Sequence, residues 1–150
     1  MASKRKAIKA AIVAQVANIT VANGYSVDIG DISDVEKSVS DIAVYPSVQW
    51  VYGRETKNQA ELHRTEGTLD FFGILYAKGD DADDTLDDFA ADIEKNLETQ
   101  TGGVWLSLGY VYDVRITAVD PWEVDEATSR GVRVWVVTVV VRYRYTRAQP

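Results

Sequence analysis

The chain has no cysteine, one histidine, one methionine and three prolines among 150 residues. Without cysteine, disulfides, thiolate zinc centres and cysteine nucleophiles are excluded, and the absence fits a cytosolic setting. With one histidine, any imidazole base or metal ligand has to be His63. It stands in "AELHRTE" between Glu61 and Glu66, and no nucleophile-elbow pattern accompanies it, so a surface histidine is the simpler reading. Positive charge is also scarce. Sixteen Lys and Arg against 23 Asp and Glu leave a net charge of -7, which disfavours wrapping nucleic acid, because phosphate binding needs a basic face. Long apolar runs are missing too, and no stretch approaches a membrane span. "MASKRKAIKAAIVAQVANIT" begins like a secretory leader, but Lys9, Gln15 and Asn18 break its apolar stretch, so it reads as a helix. A soluble protein with no membrane partner is expected.

What is present is ordinary for a globular domain: 46% apolar and 26% charged residues, enough chain to bury a core as one domain over 1–150. Ser3 can cap a helix on Ile8, Ile12, Val16 and Ile19, which recur every three or four residues, with Asn23-Gly24 as its stop. Tyr25, Val27 and Ile29 alternate and suggest a short strand. Residues 30–43 read as a polar loop. "VYPSVQWVYG" reads as a strand with Val48 and Trp50 on one side and Pro46 at its start or on an edge. Residues 53–66 are charged and read as an exposed segment, followed by the strand "TLDFFGILYAK". Tyr110, Tyr112, Val114 and Ile116 share one face of a further strand, opposite Asp113, Arg115 and Thr117. "VDPWEVDEATSRG" reads as a turn-rich connection.

The last element, 132–145, is β-prone throughout. Arg133, Trp135, Val137, Val139, Val141, Tyr143 and Tyr145 share one face. Val132, Val134, Val136, Thr138, Val140, Arg142 and Arg144 share the other. At roughly 3.3 Å per residue it would run about 45 Å if straight, against a diameter near 40 Å for a compact domain of this length. It therefore has to bend, bulge or reach beyond its domain. Apolar residues on both sides imply that both faces are covered, at least in the middle. The order helix, three strands, helix, two strands predicts an α+β fold: a mostly antiparallel mixed sheet of four or five strands with two main helices on one face.

The most suggestive stretch for chemistry is "KGDDADDTLDDFAADIEKNLE", with six aspartates between Asp80 and Asp88. Read as a calcium loop from Asp81, it has Leu86 where the sharp turn needs glycine and Asp92 where the bidentate glutamate belongs. Leu86, Phe89, Ala90, Ile93 and Leu97 also form one helical stripe, opposite Asp87, Asp88, Asp92, Glu94 and Lys95. A residue cannot wrap a cation and lie on that stripe, so Asp80 to Asp84 are expected to cap a helix and favour its positive end. Gly102-Gly103 would close it. Asp70 and Asp113 lie within strands and could serve as an acid and a base, but alternation puts Asp113 on a solvated face. The glycines form no phosphate-cradling loop. Arg142, Arg144 and Arg147 with Tyr143 and Tyr145 have the look of a nucleic-acid surface, yet three arginines are few against the overall acidity, and charge protecting an edge strand explains them as well. Trp122, in "DPWE", either meets a partner or folds back onto the core. No enzyme signature and no cofactor or metal site emerges, and the two-sided strand and aromatic-rich strands suit packing against copies of itself or others.

The element order from "YPSVQWVYGRE" through "GTLDFFGILYAKGDD", "TLDDFAADIEKNL" and "YVYDVRITAVDPWEVDE" to "GVRVWVVTVVVRYRYTR" resembles the tail terminator (minor tail, or tail-completion) proteins of long-tailed bacteriophages over nearly the whole chain. Head-closure and neck connectors and tail-tube proteins share the outline. The resemblance implies a structural virion protein of the tail-neck region, assembled in the host cytoplasm. It would form a ring, usually of six subunits, that ends tail-tube polymerisation and offers a surface to the head connector. Its partners would be itself, the tube protein and the connector, with viral DNA passing through the lumen without specific binding. The family brings no catalytic residues. The residues expected at a subunit or partner interface are Trp122, Trp135, Val137, Val139, Arg142, Tyr143 and Arg144.

Overall fold

Ser3 starts the first helix as the pattern requires: its hydroxyl accepts the Lys6 amide at 3.2 Å. The computed structural model describes residues 3–100 and 103–146, without the side chains of residues 60 and 61. Helix α1 spans Lys4–Val16 and buries Ile8, Ile12 and Val16. It ends before the expected stop at Asn23-Gly24. Thr20 instead caps a separate 3-10 turn, Val21–Asn23, which Gly24 closes in the left-handed region at φ 91°, a conformation glycine takes without a Cβ penalty. The expected strand at Tyr25–Ile29 is not formed. The strand there is β1, Asp31–Ser33, paired in parallel with the next strand.

Strand β2, Ser47–Glu61, follows Pro46 directly, and β3 spans Arg64–Lys78. They pair antiparallel down to Glu61 opposite Arg64. The charged segment 53–66 is therefore not a loop. It is the far half of a β-hairpin whose turn is Leu62-His63. Helix α2, Ala82–Leu97, places Leu86, Phe89, Ala90, Ile93 and Leu97 in the core as its stripe predicts. Strand β4, Val111–Trp122, runs well into the segment read as turn-rich, and a short helix α3, Asp125–Ser129, follows. Register shifts after Val111 and Ile116 interrupt the expected alternation in β4. A bulge adds one unpaired residue and reverses which side chains face the core, so Val111 and Val114 are both buried. Strand β5, Val132–Thr146, pairs with β3 over its whole length without a break. Of the residues read near this end and after α2, Gly102 and Arg147 lie outside the described residues.

The result is one five-stranded mixed sheet in the order β1-β2-β3-β5-β4, an α+β fold. Helices α1 and α2 cover one face. Beneath them Val48, Trp50, Leu69, Phe71, Leu75, Val137, Val139, Val141 and Tyr143 form the main core. On the other face only one end is covered. There Val39, Ile42 and Ala127 pack on Ile74, Tyr76, Val132 and Val134.

Asp92 departs from its expected solvent-facing position. Only 5% exposed, its Oδ2 accepts the amides of Ser26 and Val27, each at 2.9 Å, and Asn96 one turn later donates to the Gln15 carbonyl and to the Tyr25 hydroxyl. This pair ties the irregular segment after α1 to α2. Hydrogen bonds to a charged group contribute about 1.5–3 kcal/mol. Asp92→Ala is expected to cost about 2–3 kcal/mol in urea unfolding and to speed amide exchange at Ser26 and Val27; unchanged exchange there would refute the tie.

Candidate functional site

The side chains proposed from the sequence as chemical groups do not converge. His63 is exposed at the hairpin turn. Asp70 on β3 and Asp113 on β4 flank β5, roughly 10 Å apart at the strand spacing, and Asp113 is paired with Arg115 at 3.0 Å. Leu86 and Phe89 are fully buried, which rules out a cation loop wrapped around them. Asp81 occupies the cap position of α2 without a side-chain cap bond. Asp83 serves another purpose: its Oδ1 accepts from Arg133 Nε at 3.2 Å and from Trp135 Nε1 at 3.1 Å, fastening α2 to β5. Among the described residues no group of three or more His, Asp or Glu is placed to hold a metal ion.

The seven expected interface residues divide. Val137, Val139 and Tyr143 lie in the core beneath the helices. Their side chains hold this chain together and are not available to a partner, because β5 turns that face toward α1 and α2. Trp135 is half-buried and bound to Asp83. Arg142 is exposed, opposite Asp113 in register. Arg144 donates to Glu66 Oε1 at 3.0 Å and lies 4.1 Å from the Tyr112 ring, so its charge is matched within the sheet. Trp122 is 51% exposed. It has not folded back.

Trp122 belongs to the uncovered part of the second sheet face. Phe72, Val136, Thr138 and Val140 are only half-buried there. They are even-numbered positions of β3 and β5, and the helices occupy the odd side. With Val51, Ile74 and Pro121, Phe72, Val136 and Trp122 line a groove of about 420 Å³, and Glu36 and Asp120 are its acidic members. Beside it, burial pushes the Tyr76 phenol up to about 12, reinforced by Glu36 and Tyr45, so this end of the sheet stays neutral at Tyr76 while the groove rim carries carboxylates. Contiguous exposed apolar surface of this kind marks a contact site.

At the opposite end of the sheet, β2 and β3 run on as a two-stranded arm. Its base is anchored by Glu55, which accepts from the Tyr143 hydroxyl at 2.8 Å and pairs with Arg5 at 3.3 Å. Burial, then the Glu55 bond, raises the Tyr143 pKa. Lys4 Nζ sits 5.1 Å from the Tyr110 ring and 5.6 Å from the Tyr145 ring, and Lys57 lies 5.4 Å from Tyr145. Beyond this cluster the arm is exposed, with Leu62 at its tip 71% exposed. Sequence reasoning missed both the arm and the groove. Their available signals were Leu62, an apolar residue alone among charges, and the apolar even positions of β3 and β5.

No family model and no curated protein matches the chain. Its fold is similar to that of a chain in the virion of a native gene transfer agent (GTA) particle. The likeness is one of fold. It has a TM-score of 0.59 at 14% sequence identity and covers 92% of this chain and 95% of that one.

Proposed function

We propose that this chain is a structural protein of a phage-like virion, and that it closes the head-proximal end of a tail tube as a ring. The observation that carries the reading is the fold likeness to a chain of the GTA virion, nearly end to end in both chains. The apolar groove, together with an arm that leaves the body of the domain, supports assembly over catalysis. In this role a closed ring replaces the open stacking surface of the tube, ends its growth and presents a new surface to the connector. The partners are further copies of this chain (six in the expected ring), the tube protein and the connector, and DNA passes through the lumen without a sequence-specific site. The chain acts in the tail-neck region and is not an enzyme.

Purified protein is expected to form a closed ring, alone or on added tail tubes, visible by negative-stain microscopy and by light scattering as a multiple of the 16.6 kDa chain. A single-chain mass at all concentrations, together with no attachment to tubes, would refute the reading. Attachment along the side of tubes, away from their ends, would favour another connector or tube role.

A further inference from the structure

The geometry points to a tip-in-groove contact between copies of this chain: Leu62, at the end of the β2-β3 arm, seats in the apolar groove beside Trp122 of a second copy. This rests on the ring reading above and names the contact that would build the ring.

The two surfaces are complementary in shape and chemistry. The arm ends in one large apolar side chain held out in water, at the turn of two strands paired to their last residues. The groove, of about 420 Å³, is walled by Phe72, Ile74, Trp122 and Val136, ample for a leucine. The charges are opposed. Glu36 and Asp120 line the groove, and Glu123, Asp125 and Glu126 follow Trp122 in the chain. The arm carries Arg54, His63 and Arg64, while its Glu55 and Glu66 are already paired with Arg5 and Arg144. Opposite charges at the rim steer and orient such a contact.

Leu62 cannot fill its own groove. Val51 pairs with Phe72 at the groove, and Glu61 pairs with Arg64 at the tip. Ten residues of strand between them separate the two sites by roughly 30 Å. Complementary patches at two distant places on one molecule join different copies, head to tail, and close into a ring when the rotation permits.

The chain's lack of cysteine makes a cross-linking test clean. His63→Cys with Glu36→Cys leaves Leu62 and the apolar walls intact. Under a short bis-maleimide this double variant is expected to give a ladder of covalent oligomers ending at the ring size, while each single variant stays at one chain. Adding Leu62→Asp to the double variant is expected to remove the ladder without lowering its melting temperature, since Leu62 is outside the core. A wild-type ring whose double variant gives no ladder, or a ladder that survives Leu62→Asp, overturns the contact and leaves the ring reading standing. A ladder that stops at two chains keeps the contact as a reciprocal pair and overturns the ring. A wild-type protein of single-chain mass with no cross-links overturns both.

Discussion

Val139→Asp is expected to leave the chain unfolded at 25 °C, with loss of the cooperative thermal transition and of any assembly. Val139 is 0% exposed. It lies at the middle of β5, opposite Phe71 on one side and Ile116 on the other. The substitution forfeits about 1.5–3 kcal/mol of apolar burial. It also places an unpaired polar group in the interior at a further cost of about 2–7 kcal/mol. Domains of this kind have about 5–15 kcal/mol in total, so the sum removes most or all of it. Trp135→Asp is the informative comparison. From the sequence, aspartate at either position is expected to abolish folding or assembly. Trp135, however, is half-buried and its indole is bound to Asp83, so the variant loses that contact and brings two carboxylates together near the surface. It is expected to fold with a lowered melting temperature. Equal behaviour of the two variants by circular dichroism would mean that the two positions share one environment, against the burial seen here.

Gly73→Val is expected to destabilise by about 2–3 kcal/mol, roughly 5–10 °C in melting temperature for a chain of this size. Valine suits a strand better than glycine, which by itself favours the variant by up to about 1 kcal/mol. Space decides against it. A Cβ on Gly73 would lie 2.7 Å from the Trp50 ring and 2.8 Å from Val137 Cγ2, and Trp50 is fully buried under the helices. The indole crosses β3 where the side chain is missing. Gly67 provides the same kind of gap for the Tyr143 ring. Because the clash is with one ring, Trp50→Phe is expected to restore part of the loss in a double-mutant cycle with Gly73→Val, with a coupling of about 1 kcal/mol. Additive effects in that cycle would assign the loss to the strand and not to the ring.

These two sites show what a one-dimensional pattern can carry. Helix α2 was legible because Leu86, Phe89, Ile93 and Leu97 repeat with the helical period, and the same stripe excluded a cation loop. Strand β5 was legible because it alternates without interruption. Its expected excess length resolved as full pairing with β3 and extension along the arm. The arm itself was not legible. Beyond its base, its residues are solvated on both sides, so no alternation of apolar and polar residues marks them, and only backbone pairing makes them strands. Strand β1 is three residues long and parallel to a strand distant in sequence, and short non-local pairings leave no local trace. Asp92 looked solvent-facing because its partners, Ser26 and Val27, are more than 60 residues away in the chain.

The candidate site divides in the same way. Of the residues expected at an interface, Val137, Val139 and Tyr143 were chosen for lying on an apolar face, and that face belongs to the core. Trp122 was open between two readings until the structure exposed it. By itself the sequence determined an α+β chain without thiols, with one capped amphipathic helix and a terminal strand apolar on both sides, because periodicity and composition record what each residue meets along its own element. Only the tertiary structure decided which side of that strand is covered, that Phe72 and Val136 join Trp122 in an open groove, and that Leu62 stands at the far end of the same sheet. Coverage of a sheet's second face depends on where distant segments settle. Here residues 36–45 and 124–132 shelter one end of it and leave the middle to water.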